Sequence, residues 1–185
     1  MLLMIAGVLG GLVTWTFVEY AMHNFNGHKM RGRTKFSREH LRHHAEEGYF
    51  APLYLKVLTG LLVSAIILVS ASFAVGWSVG TAFTAGFLAG YVFYETLHFR
   101  LHKATPQSRY MRWAARHHFS HHFNCPKHNH GVTSPIWDHV FGTYRKVETV
   151  RVPRRLAMSW LVDDLTDDVL KPFQGDFRLT GRVRS

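Results

Sequence analysis

Residues 53–75 narrow the folds open to this chain more than any other stretch. They run from Leu53 to Val75 with Lys56 as the single charge. About 20 apolar residues, rising about 1.5 Å each in a helix, cross a bilayer core. Two further runs share this character. Residues 1–22 carry one charge, Glu19, near their end. That run has neither a basic leader nor a small-residue cleavage site, so a removable signal peptide is a poor fit. Gly7, Gly10 and Gly11 weaken it as a helix but suit close helix contacts in lipid. Residues 81–97 form the third run and lead into Tyr94–His102. The second and third runs, parted by Gly76–Gly80, read as a tight transmembrane hairpin.

Polar, basic segments flank these runs. Lys29, Arg31, Arg33, Lys35, Arg38 and Arg42 fall within 23–52, and Lys103, Arg109, Arg112 and Arg116 follow the third run. The net charge of +10 therefore sits beside the apolar blocks. Lys and Arg accumulate on the cytoplasmic side, which places both basic segments there. Cys125 is the only cysteine, so no internal disulfide forms. In residues 156–170, Met158, Leu161, Val162, Leu165 and Val169 recur at helical spacing and predict a helix beside an acidic run of Asp163, Asp164, Asp167 and Asp168. Ser37 is the expected N-cap of a short helix.

The chain has 14 histidines, far more than packing requires. They gather near the polar ends of the apolar runs. His98 and His102 are four apart. His40, His43 and His44 are spaced i, i+3, i+4, and His118, His121 and His122 repeat that spacing. His23 and His28 are five apart, which suits a helix end running into a turn. Residues three and four apart share a helix face, so each cluster can aim imidazoles at one point. Neutral imidazole ligates zinc, copper, iron and nickel. Ten such donors exceed the needs of one ion and suit two. Glu19 lies four before His23, and Glu95 three before His98. Such acids can accept the far N–H of a ligand, bind metal directly, or pair with nearby arginines.

At these residues the chain resembles the membrane-bound fatty acid hydroxylase/sterol desaturase superfamily, most closely the fatty acid 2-hydroxylases. The family pattern H-x4-H, H-x2-H-H, H-x3-H and H-x2-H-H is matched in order by His23…His28, His40…His43-His44, His98…His102 and His118…His121-His122. Residues 90–102 are similar to the family's third-motif segment, and 117–123 to its fourth. Residues 131–143 resemble its Trp-Asp-x-x-Phe-Gly-Thr ending. The resemblance covers about 18–145. It implies an all-α integral membrane fold; the apolar runs 1–22, 53–75 and 81–97 supply about three transmembrane helices, where the family commonly has four. A cytosolic cap from 23–52 and 98–155 follows, with a tail from 156–185. The resemblance also implies two iron ions held by the ten histidines, zinc being able to replace them in purified protein. O2 is the cosubstrate, a bilayer lipid the substrate, and cytochrome b5, ferredoxin or a similar carrier the electron donor. Glu19, Glu95 and Asp138 are the expected supporting acids. Glu95 stands where the family often has Asp. His117, His128, His130 and His139 are extra to the pattern.

The expected function is a lipid acyl-chain monooxygenase, in a bacterial inner membrane or the endoplasmic reticulum, with its site facing the cytoplasm. Sterol or carotenoid hydroxylation or desaturation on the same scaffold is the alternative, with a non-catalytic metal-binding membrane protein behind it. A metal transporter fits less well, because the interiors of the second and third runs lack histidine and acid. The basic residues carry no nucleic-acid recognition motif, so no nucleic-acid partner is expected.

Overall fold

The computed structural model describes residues 1–181. Six α-helices occur among them: α1 (Leu2–Ala21), α2 (Lys35–Ala45), α3 (Leu53–Val75), α4 (Trp77–Lys103), α5 (Arg109–Phe123) and α6 (Ile136–Val140). A π-helical segment, Met22–Lys29, continues directly from α1. Two helical stretches are long and apolar enough to cross a membrane: Leu2–Lys29 and Leu53–Val75. The expected third run lies within α4, which is long enough but less apolar, being diluted by Gly, Thr and Tyr. The chain divides into two compact units. One comprises Met1–Glu19 with Ala51–Thr96; the other comprises Tyr20–Phe50 with the chain from Leu97 onward.

Small residues hold the first unit together. A Cβ on Gly11 would overlap the Phe83 carbonyl, and one on Gly86 would overlap that of Val8. α1 and α4 therefore touch backbone to backbone, as small residues permit in lipid. Trp15 fills the space beside this contact, with its ring 5.3 Å from Phe87 and 5.1 Å from Tyr91. The side chains of α3 are largely exposed, from Leu53 to Val75, as a lipid-facing surface demands. The hairpin break is narrower than Gly76–Gly80. Gly76 alone leaves the helical path, at φ 84°, and α4 starts at Trp77. Glycine reaches that left-handed angle without a Cβ clash. Glu95 is held here by Lys56, with Nζ 2.5 Å from its carboxylate.

The second unit has a core of its own, built on Leu101, Phe119, Met158, Trp160, Leu161, Phe173 and Phe177. Each such large side chain, fully buried, contributes about 1.5–3 kcal/mol. It is not purely helical. β1 (Val150–Pro153) pairs in parallel with β4 (Phe177–Thr180), and β2 (Val162–Asp163) pairs antiparallel with β3 (Asp168–Val169). The helix expected over 156–170 does not form. A 3-10 turn at Arg154–Leu156 and the β2–β3 hairpin take its place. The acidic run explains the difference. Asp163 Oδ1 accepts from the Leu165 and Thr166 amides, and Asp167 adopts φ 49°. Short acidic side chains that bond nearby backbone compete with helix. Met158, Leu161 and Val169 are buried as expected, but Leu165 is 96% exposed at the hairpin tip.

Candidate metal centre

Three helices and the π-segment carry the ten motif histidines, and the second unit brings all ten together. They separate into two groups. The first is His23, His28, His40, His44 and His121; the second is His43, His98, His102, His118 and His122. Within each group every ligand nitrogen lies within 4.8 Å of the others. The motifs do not map one to one onto the groups. Helical spacing explains why. Residues i and i+4 are about 40° apart around an α-helix, whereas i+3 falls on the other side of i. In α2 the pair His40 and His44 serves the first group, and His43 turns to the second. In α5 the pair His118 and His122 serves the second group, and His121 turns to the first. The two helices thus exchange one histidine each. The π-segment adds His23 and His28 to the first group, and the end of α4 adds His98 and His102 to the second. His44 and His122 stack across the groups, with ring centroids 3.9 Å apart.

Local sequence sets these helices. Thr34, not Ser37, caps α2: its Oγ1 accepts from the Ser37 amide at 3.0 Å. Ser37 is instead buried one turn inside, donating to the Gly27 carbonyl at 2.7 Å and accepting from Gly32 N at 2.8 Å. Ser108 caps α5 and accepts from the Met111 amide at 3.1 Å. The Met22–Lys29 stretch is wound as π-helix, which changes the angular step between residues and lets His23 and His28 turn to one point despite being five apart.

Backbone carbonyls orient the rings. His23 Nδ1 lies 2.5 Å from the His130 carbonyl, His121 Nδ1 2.8 Å from that of His128, and His43 Nδ1 2.7 Å from that of Tyr49. Each Nδ1–H donates outward, which leaves an Nε2 lone pair facing the group. The Nε2 atoms crowd together. His28 lies 2.9 Å from both His121 and His40, and His40 lies 3.1 Å from His44. In the second group, His98–His43 is 2.9 Å and His102–His118 is 3.0 Å. One Nε2 carries a proton or a lone pair, never both, so the chain of contacts through His28 and His40 cannot be made of full hydrogen bonds. The buried Nε2 atoms of His23 and His122 have no hydrogen-bond partner among the described residues.

A bound cation would resolve this crowding. With metal–nitrogen bonds of about 2.1 Å, two ligands at a right angle lie about 3.0 Å apart, against about 3.4 Å in a tetrahedron. The observed separations match the right-angled edge. Electrostatics agree. Burial, reinforced by the neighbouring imidazoles, holds His40, His44, His118, His121 and His122 well below the ordinary histidine range. They are neutral at physiological pH, the form that binds metal.

The supporting acids fall in different places. Asp138 is fully buried under the first group. It accepts from the His130 and Gly131 amides at 2.8 Å each and from Thr143 Oγ1 at 2.7 Å, with His117 Nε2 at 3.3 Å. Burial alone would raise its pKa; these bonds outweigh it and hold the carboxyl below its usual range. Asp138 thereby fixes the loop whose His130 carbonyl orients His23. Glu19 is buried in the first unit, and Glu95 is paired with Lys56 there. Sequence reasoning missed the carbonyls of Tyr49, His128 and His130. For His128 and His130 the one sequence signal was the turn region around Asn129, which takes φ 60°; Tyr49 carried none.

The sequence model described as fatty acid hydroxylase matches residues 8–143. The dihydroceramide fatty acyl 2-hydroxylase FAH2 of Arabidopsis thaliana is 30% identical over 142 residues, covering 72% of this chain and 58% of that protein. The fatty acid 2-hydroxylase of Mus musculus is 31% identical over 140 residues, covering 72% of this chain and 38% of that protein. A solved structure of scs7p, in which only the hydroxylase domain is visible, matches with a TM-score of 0.59 at 28% identity, covering 77% of this chain and 57% of that one. The chain spans less than two thirds of the length of these curated relatives.

Proposed function

This chain belongs to the fatty acid hydroxylase family, and from that premise we propose that it is a membrane-bound di-iron monooxygenase that hydroxylates the acyl chain of a lipid. The observation that carries the reading is the pair of five-histidine groups sharing α2 and α5. Soluble di-iron bundles draw on carboxylate ligands; here the donors are neutral imidazoles. Two ions held by ten neutral ligands would keep a higher net positive charge than in a carboxylate site, which would favour their reduced, O2-binding state.

The overall reaction consumes a C–H bond, O2, two electrons and two protons, and yields an alcohol and water. The ions supply O2 reduction when bound; the protein supplies placement and protection. His23, His28, His40, His44 and His121 would hold one ion, and His43, His98, His102, His118 and His122 the other. The carbonyls of His130, His128 and Tyr49 fix three of these rings as lone-pair donors. The bond network of Asp138 keeps two of those carbonyls, or the loop bearing them, in place. Burial of His98, His102, His118 and His121 limits water at the reacting centre, which suppresses loss of oxidising equivalents. The lipid-exposed helices Leu2–Ala21 and Leu53–Val75 anchor the chain in the bilayer that holds its substrate. The excess of Lys and Arg in the flanking segments supports a cytoplasmic position for the histidine-bearing unit and the reading of α4 as a third span.

The test is a lipid profile of cells with and without the protein, searched for species heavier by one oxygen atom. Carbon 2 of the acyl chain is the first position to assay, since relatives are named for it. Under 18O2 the parent should place one labelled atom in the product, and His98→Ala or His121→Ala should abolish it. Full activity in both variants, or one metal ion per chain in the active parent, would overturn the reading. A product lighter by two hydrogens would mark desaturation instead.

A further inference from the structure

A cavity of about 360 Å³ opens beside α5, outside both histidine groups. Arg116, Arg145 and Lys146 line it, opposed within the lining only by Glu148. Arg116 is also paired with Asp176 at 3.0 Å, so Arg145 and Lys146 supply most of its unbalanced charge. Arg109, Arg112 and Arg116 recur at i, i+3 and i+7 along α5 and extend the cationic surface along one helix face. Arg112 is steadied over the Phe173 ring at 5.1 Å.

The floor is aromatic and leads inward. His117 is buried and stacks on Trp113, centroids 5.1 Å apart and planes 25° apart. Tyr144 is its other stacked ring, at 5.9 Å and 23°. His117 is bonded in sequence to His118 of the second group. The backbone of Arg145 is clamped on buried Asn129, which accepts from its amide at 2.7 Å and donates to its carbonyl at 2.9 Å. Asn129 lies between the two residues whose carbonyls orient His121 and His23. The cavity thus joins a cationic rim to conjugated rings that end beside the histidine groups.

We propose that this cavity is the docking point of an acidic electron-carrier protein, whose electrons pass over the Trp113–His117–Tyr144 rings to the His118 side of the centre. This rests on the oxygenase reading, in which each turnover consumes two electrons from outside. A one-electron carrier docks twice per turnover and leaves oxidised each time. The two electrons and two protons from solvent end in the water formed beside the alcohol. Opposite charge across such a contact speeds encounter and fixes register, and its effect is screened by salt.

The experiment uses the full chain in nanodiscs of uncharged lipid, with reduced soluble cytochrome b5 and an acidic ferredoxin as alternative probes. Ascorbate with phenazine methosulfate serves as a small mediator that needs no docking. In Arg112→Glu/Lys146→Glu the Kd for at least one carrier should rise on the order of tenfold or more at low salt. The ratio of carrier-driven to mediator-driven product should fall alongside. Tyr144→Leu should lower the carrier-driven rate with the carrier Kd unchanged. Unchanged carrier binding in the double variant would overturn the proposal. So would a double variant that loses affinity for anionic-lipid nanodiscs while keeping carrier affinity, since the cavity would then be a headgroup site. Absence of mediator-driven product in the parent would sink the oxygenase reading; carrier binding would still decide the docking surface.

Discussion

The two histidine groups have the same number of imidazoles and mirror one another in their use of α2 and α5, yet they are supported differently. In the first group His28, His40 and His44 are partly exposed; in the second only His122 is. The first draws two rings from a π-helical segment and has His23 and His121 oriented by a loop. The second draws His98 and His102 from the end of a long continuous α-helix. Equal ligand sets therefore need not give equal ions. The first group should exchange its ion more readily, because three of its rings are partly exposed and two sit on the π-segment.

The largest effect should come from removing one ligand on each side. His121→Ala takes a donor from the first group and His118→Ala from the second, both from α5. Each should lower metal content from two ions to one per chain and reduce product by about 100-fold or more, beyond the usual loss for a supporting residue. Elemental analysis of the purified variants, with lipid product assay, checks this. If either variant lost both ions, the groups would be one cooperative site and the comparison would collapse.

Asp138→Ala should separate the groups more selectively. It frees the His130 and Gly131 amides and Thr143, and so the loop behind His23. Metal affinity of the first group should fall about 10–100-fold. The second group, oriented at His43 by Tyr49, should hold its ion. Competition with a chelator of known affinity reads both. Equal weakening of both groups would show that Asp138 acts through His117 and α5 instead.

How much of this was readable beforehand differs between the units in the same way. The ten histidines and the long apolar runs were legible, because helical spacing and hydrophobic length are local properties. The division of His40 and His44 from His43 was latent in that spacing but needed the partner helix to appear. The orienting carbonyls carry no side-chain signature at all. Glu95 looked like a partner for His98 from spacing alone, yet Lys56, far away in sequence, holds it in the structure. The 156–170 segment misled for a physical reason. Its apolar positions fit a helix, but Asp163 captures the amides that a helix would need, and Trp160 is fixed by donating to the Leu101 carbonyl at 2.8 Å.

Acidity should weaken the metal-free protein in one direction only. Desolvation and the neighbouring imidazoles hold the folded pKa values of His40, His44, His118, His121 and His122 well below the unfolded value of about 6.5. Above that pH both states are neutral and the full stability is present. As pH falls below it, the unfolded chain binds protons that the folded chain refuses, so stability is lost. His130, lowered to about 4 chiefly by burial, adds to the same slope. Each group contributes up to about 1.4 kcal/mol per pH unit. Thermal melts of chelator-treated protein should be flat above pH 7.5 and fall steadily from pH 6.5 to 5. Loading with metal should move the fall to lower pH. A melt that stayed flat through pH 5 would mean that these rings are not buried without metal.

The smallest effect should come from the caps of the two shared helices. Thr34→Ala and Ser108→Ala each remove one side-chain acceptor from a helix N-terminus, at a cost of about 1 kcal/mol. By that measure the two variants are equal. Thr34, however, also donates to Asn26 Oδ1 at 2.6 Å, and Asn26 lies between His23 and His28 in the π-segment. Its loss should loosen the first group as well as α2. Ser108 lies a full ten residues before His118 and should leave both groups intact. Chelator-driven release, followed ion by ion, should therefore quicken for the first group in Thr34→Ala and stay at the parental rate in Ser108→Ala. Equal release from both variants would mean that the π-segment is rigid without the Thr34–Asn26 bond, and that partial exposure alone separates the two groups.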